Sequence, residues 1–186
     1  MSTIDAELSI PYVAGLVDSC GQFTVAITQT DESVIGHRME PLVRVSKSDD
    51  TGLIDDVSTF LDAHDIRHNV GQNGDTDLLT VQSLESIERL VGLLEPYLVA
   101  TLEPAVILVE EIIPRYRSGV NRSERAFYET MGLVDRLGVL GTSSRERTYT
   151  QAYFAELWDI AEDGATDTDI EDEEPNADRD DGGEQG

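Results

Sequence analysis

At Gly21 the period of the chain changes. Up to that residue apolar side chains recur at helical spacing across residues 6–19 (Leu8, Ile10, Val13, Leu16, Val17). Beyond it Phe23, Val25 and Ile27 alternate with Gln22, Thr24, Ala26 and Thr28. The first pattern is a helix with one buried face, and the second is a strand with one face on a core. Gly21 reads as the stop between them. Gly15 and Ser19 lie four apart on the helix, with Ala14 beside them. They form a strip of small residues against which another helix could pack closely.

The same two periods organise the rest of the chain. A second strand is expected over 42–46, with Val43 and Val45 inward and Arg44 outward, and a helix over 50–63 with Ser48 or Asp49 as its N-cap. Residues 66–70 and 78–82 read as a hairpin across the turn-rich 71–75. Helices are expected over 84–94 and 101–113, separated near Pro96. The order predicts an α+β fold, an αββαββα core whose helices cover one face of a four-stranded antiparallel sheet and leave the other open. After Pro114 come Arg115, Arg117, Arg122 and Arg125, then helical patterns over 124–140 and 150–161 joined by a polar loop at 141–149. Gly132-Leu-Val-Asp-Arg-Leu-Gly138 echoes Gly15-Leu-Val-Asp-Ser-Cys-Gly21. A second repeat would need four more strands, and the remaining residues show none.

The 186 residues suffice for one domain, expected over 1–162. Residues 163–186 hold eleven acids and one arginine with almost no apolar groups, the composition of a disordered tail. The net charge is -25, and the bases are twelve arginines and one lysine, Lys47. Without the tail the charge is still -15. Such a balance fits a halophilic cytoplasm, where molar salt shortens the screening length to about 3 Å; an acidic mesophilic protein is the alternative. Cys20 is the only cysteine, so no intrachain disulfide forms, and no apolar run reaches the length of a membrane span. A soluble, cytoplasmic protein is expected.

The nonamer Val13-Ala-Gly-Leu-Val-Asp-Ser-Cys-Gly21 resembles the LAGLIDADG motif of homing endonucleases. The layout is similar to the family's single-motif, homodimeric group, as is Glu95-Pro-Tyr-Leu98 ahead of the last core helix. The resemblance covers about residues 7–162. It implies a homodimer through Ala14, Gly15 and Ser19, and a sheet that enters the major groove of double-stranded DNA, with folded RNA a possible partner. The outward readers would include Thr24, Thr28, Thr30, Arg38, Arg44, His68 and Thr80. The loop residues Ser143, Arg145, Arg147 and Tyr149 would touch the DNA backbone.

The same resemblance assigns the family's active-site positions to Asp18, Cys20, Lys47 and Thr101. The motif's second aspartate holds Mg2+, a hard ion that wants oxygen donors at about 2.1 Å. Here Cys20 stands in its place, and sulfur is a poor magnesium ligand. Lys47 replaces a residue that is often glutamine, and Thr101 replaces a basic one. The expectation is recognition of DNA with cleavage impaired. Two alternatives stay open: an active endonuclease using another carboxylate, Asp18 being nearest, or a structural dimer that has lost nucleic acid. The charge of the sheet's open face discriminates the last. His37, His64 and His68 are too scattered for a zinc site.

Overall fold

The computed structural model describes residues 8–48, 52–141 and 148–160. Along the chain lie α1 (Ile10–Cys20), β1 (Gly21–Gln29), β2 (His37–Lys47), α2 (Leu53–Ala63), β3 (Asn69–Asn73), β4 (Thr76–Val81) and α3 (Leu84–Leu94). Then come α4 (Leu102–Val106), a π-helical stretch (Ile107–Ile112), α5 (Ile113–Arg117), α6 (Glu124–Leu140) and α7 (Gln151–Leu157). The four strands form one antiparallel sheet in the order β1-β2-β4-β3. The expected α+β core is the observed one.

Register decides which side chains share a face. Val43 stands opposite Phe23 and Val81, and Val45 opposite Gly21 and Leu79. With Val25 and Met39 they make a buried apolar surface on one side of the sheet. Against it pack Val13, Ala14 and Val17 of α1, Val57 and Leu61 of α2, and Ile87, Leu90 and Leu94 of α3 in one core. Alternation in the strands and amphipathic spacing in the helices thus give a two-layer body.

Gly21 does end α1, with an extended backbone (φ -85°) and its N–H bonded to Val17 O. Glycine is needed for clearance, since a Cβ there would sit 2.5 Å from the Val17 carbonyl oxygen. Several local readings are corrected. Ser48 does not cap α2, because its hydroxyl pairs with Thr76 Oγ1 at 3.3 Å and the cap position is Gly52, in the left-handed region at φ 69°. Asp49 lies outside the described residues. The third strand begins at Asn69 rather than Ile66; Ile66 is buried in the core, and β3 is an exposed edge strand. The hairpin turn puts Gly74 at φ 61° in its first central position, where a II′ turn takes glycine.

Beyond α3 the expected helix over 101–113 starts at Leu102 and continues to Arg117. It crosses Pro114, which lacks an N–H and crowds the carbonyl one turn back. The widened turn at 107–112 accommodates it. α6 has the expected bounds, while α7 is shorter than 150–161. Both carry hydroxyl caps, Ser123 accepting from Ala126 N–H and Thr150 from Tyr153 N–H. No helix among the described residues is long and apolar enough to cross a membrane. The tail at 163–186 lies outside the described residues.

β4 ends opposite Val43, so the first half of β2 has no strand on that side. Asn121 takes its place: Met39 N–H donates to Asn121 Oδ1 at 2.9 Å, and Asn121 Nδ2 donates to Met39 O at 3.1 Å. Replacing Asn121 by alanine strands both backbone groups. Urea denaturation of Asn121→Ala should show a loss of about 1–3 kcal/mol.

Candidate nucleic-acid interface and the foot of α1

The second face of the sheet carries Gln22, Thr24, Ala26 and Thr28 from β1, and Arg38, Glu40, Leu42, Arg44 and Ser46 from β2. Thr76, Leu78 and Thr80 of β4 and Asn69, Gly71 and Asn73 of β3 complete it. Alternation alone puts them there, because their neighbours in sequence point into the core. Thr24, Thr28, Arg38, Arg44 and Thr80 therefore share one face. Gln22, Ser46 and Asn69 share it too and are absent from the residues expected from sequence, although strict alternation through the strands points to Gln22 and Ser46.

Charge is partitioned across the molecule. In a chain with 38 acids, this face has two arginines against one glutamate. That glutamate is engaged: Arg38 Nη2 lies 3.0 Å from Glu40 Oε1. Tyr116 and Glu40 together raise the Arg38 guanidinium above its ordinary value. Arg44, opposite Gln22 and Thr80, has no acidic partner among the described residues, and its Nε is buried with no hydrogen-bond acceptor. Arg115 and Arg122 are likewise without a carboxylate among the described residues. Arg67, Arg89, Arg117, Arg125 and Arg136 are each paired with one.

At the foot of α1 two of the positions read as active-site residues from sequence, Asp18 and Thr101, are brought together. Asp18 is fully occupied: Oδ2 accepts from Val99 N–H at 2.8 Å, and Oδ1 from Thr101 N–H at 2.9 Å and the Thr101 hydroxyl at 2.7 Å. Burial alone would raise its carboxyl. The Thr101 hydroxyl, with the N–H groups of Thr101, Val99 and Ala100, outweighs that and holds it below the ordinary 3.8. Cys20 is half-buried, and its thiol donates to Leu16 O at 3.2 Å. Lys47 ends β2 opposite Asp77. Among the described residues no group of three His, Cys, Asp or Glu side chains could hold a metal ion. Within this chain these donors do not fit magnesium, for one carboxylate is committed to three N–H and O–H groups and the next donor is sulfur.

Other expected site residues fall elsewhere. Ala14 is fully buried in the core and leaves the strip, whereas Gly15 and Ser19 are exposed beside Tyr12, and a Cβ at Gly15 would meet nothing within 4 Å. Thr30 belongs to the β1–β2 turn, its N–H on Gly36 O and its hydroxyl accepting from Glu32 N–H. His68 is not on the open face: its side chain is 7% exposed, Nδ1 lies 2.9 Å from Ile66 O, and Nε2 lies 2.6 Å from Ser58 Oγ. Tyr149 is part of an aromatic cluster with His37 and Phe154 rather than a free loop side chain. Ser143, Arg145 and Arg147 lie outside the described residues.

No protein-family model and no curated protein matches the chain. Solved structures do. The homing endonuclease I-CvuI, crystallised with a DNA target left uncleaved in 2 mM Mg, superposes with a TM-score of 0.69 over 81% of this chain and 92% of its own, at 20% identity. The archaeal intron-encoded homing endonuclease I-Vdi141I, complexed with DNA, gives 0.66 over 82% and 97% at 14% identity. I-TnaI, a homing endonuclease, gives 0.59 over 72% and 96% at 16% identity. The chain has the LAGLIDADG homing-endonuclease fold.

The folded carboxyl of Asp18 lies below its unfolded value, so its contribution is complete above the unfolded value and lost as pH falls through the folded one. Asp18→Asn should therefore cost about 1.5–3 kcal/mol at neutral pH. In urea titrations that deficit against the unsubstituted chain should close as the pH is taken below 3.8.

Proposed function

We propose that this chain recognises double-stranded DNA as a cytoplasmic homodimer packed through α1, and that it does not cut DNA by a magnesium-dependent route. The observation that carries the reading is the charge partition. A chain of net charge -25 has on its open sheet face two arginines and one ion-paired glutamate as the charged groups, with hydroxyl, amide and a few apolar side chains between them. Threonine, glutamine and arginine at that spacing offer donors and acceptors to base edges in a major groove. The solved relatives bound to DNA support the same use of the fold.

Dimerisation is supported by Gly15 and Ser19, exposed one turn apart on α1, where small side chains invite a second backbone beside the exposed ring of Tyr12. Loss of cleavage is supported by the foot of α1. The reading in which Asp18 carries a catalytic metal is disfavoured by its three donors. A structural dimer without nucleic acid is disfavoured by an open face that is not acidic.

Selection of bound duplexes from a random pool in potassium chloride, followed by incubation with magnesium or manganese, tests both halves. A defined sequence should be enriched and left uncut. Arg44→Ala should weaken binding to the selected sequence about tenfold and relax the preference at the base pair it reads. Nicking at a defined site that Asp18→Asn or Cys20→Ala abolishes would overturn the non-cleaving reading. A monomer in light scattering would remove the dimer.

A further inference from the structure

We propose that the connection between α5 and α6 holds the sugar-phosphate backbone of the duplex through Arg122 and Arg115, beyond the stretch of bases that the sheet reads. The clamp rests on the DNA-binding reading and adds to it a contact that carries no sequence information.

This connection is fixed to the open edge of β2. Asn121 pairs with both backbone groups of Met39, and its own carbonyl accepts from Ser33 Oγ at 3.4 Å. Gly119 turns the backbone through the left-handed region (φ 93°), and Arg122 N–H closes the turn on Gly119 O at 2.9 Å. A segment tied down at these points presents its side chains with little ordering cost to its backbone on binding.

Arg122 and Arg38 line a common cleft of about 310 Å³ with Tyr116, Arg117 and Ser118. Arg38 is held there by Glu40 at 3.0 Å, and Arg117 by both oxygens of Glu88. Arg122 is exposed and has no carboxylate among the described residues, so its charge is the surplus of the cleft. Arg38 and Arg122 also meet in a second cleft of about 270 Å³. Glu32 lines that one alone, which directs an anion to the first. Arg115 is exposed on the other flank of the same turn, in a cleft that shares Ser118 and Gly119 with the first. Glu129, the carboxylate of that cleft, is taken by Arg125 at 2.7 Å.

A guanidinium matches the paired oxygens of a phosphodiester, and two surplus arginines on one exposed turn fit successive phosphates better than a single small anion. Location identifies their source. Arg38 belongs to the open face and stands opposite Thr28, seven residues along β1 from Gly21. At about 3.4 Å per residue that is ~24 Å from the foot of α1, or about seven base pairs of a duplex laid along the strands. There the sheet ends, and the duplex offers its backbone to whatever rims the face.

The test uses the full chain. Arg122→Gln and Arg115→Gln are compared with Arg89→Gln, which removes the same charge from α3 in the helical layer. In about 0.1 M potassium chloride, anisotropy should show each rim variant binding labelled duplex about fivefold more weakly, by the same factor on a selected and on a mixed sequence. The slope of log K against log salt should fall by about 0.9 for each, and the control should stay within about twofold. A single neutral methylphosphonate is then walked along the selected duplex. The linkage that costs the unsubstituted chain about fivefold and costs Arg122→Gln nothing marks the clamp, and it should lie about seven base pairs or more from the centre of the site. The clamp is overturned, with the DNA-binding reading left standing, by the absence of such a linkage. Rim variants that match the control have the same meaning: these arginines then serve another partner, such as an acidic protein. Loss of sequence preference in place of salt dependence makes them base readers and also overturns the clamp. An unsubstituted chain that binds no duplex overturns both readings.

Discussion

A single carboxylate fixes the geometry on which the rest relies. Asp18 reaches across 83 residues of sequence to bind the backbone and hydroxyl of Thr101, and it holds Val99 with its other oxygen. The clamp joins the end of α1 to the start of α4, the two elements that frame the first strand. α1 passes into β1 without a connecting loop, so the direction of the strand is set where the helix is held. The close approach at Gly21 belongs to the same joint. Its demand is architectural, and it persists whether or not any chemistry happens at Cys20.

The sheet divides two tasks between its faces. One receives the apolar side chains of α1, α2 and α3 and supplies stability; the other carries hydroxyl and amide groups and two arginines, with Ala26, Leu42 and Leu78 among them. Charge follows that division. The acids of α2, α3 and α6 lie at exposed or half-buried positions away from the open face, and Glu40 is the only acid that β1 and β2 place on it. In concentrated salt such a segregated surface keeps the body hydrated while attraction at contact distance survives, because screening acts on the long-range field far more than on a touching pair.

The fold is largely legible in the sequence because each element has one dominant period. α6 and α3 have the bounds their spacing predicts, and the alternation in β1 identifies the open face residue by residue. Local readings fail where a contact distant in sequence decides the matter. His68 has the setting of a strand residue, yet Ser58 and the Ile66 carbonyl take both ring nitrogens. Ala14 resembles its neighbour Gly15, but one step along a helix turns a side chain by about 100° and carries it from surface to core. Tyr149 reads as a loop residue because nothing in its neighbourhood reveals His37, its ring partner from the start of β2. The commitment of Asp18 to Thr101 is the least visible of all, since backbone donors leave no mark on sequence.

The widened turn at 107–112 works as a phase shifter. One extra residue in a helical turn rotates everything downstream by about 100° relative to an unbroken α-helix. That rotation decides where Tyr116 and Arg117 aim: the first toward Arg38 at the rim of the sheet, the second onto Glu88 of α3 with both guanidinium nitrogens. Lineages that lost or gained one position in this stretch would re-aim the rim without touching the core, so insertion length here is a simple handle on the shape of the binding edge.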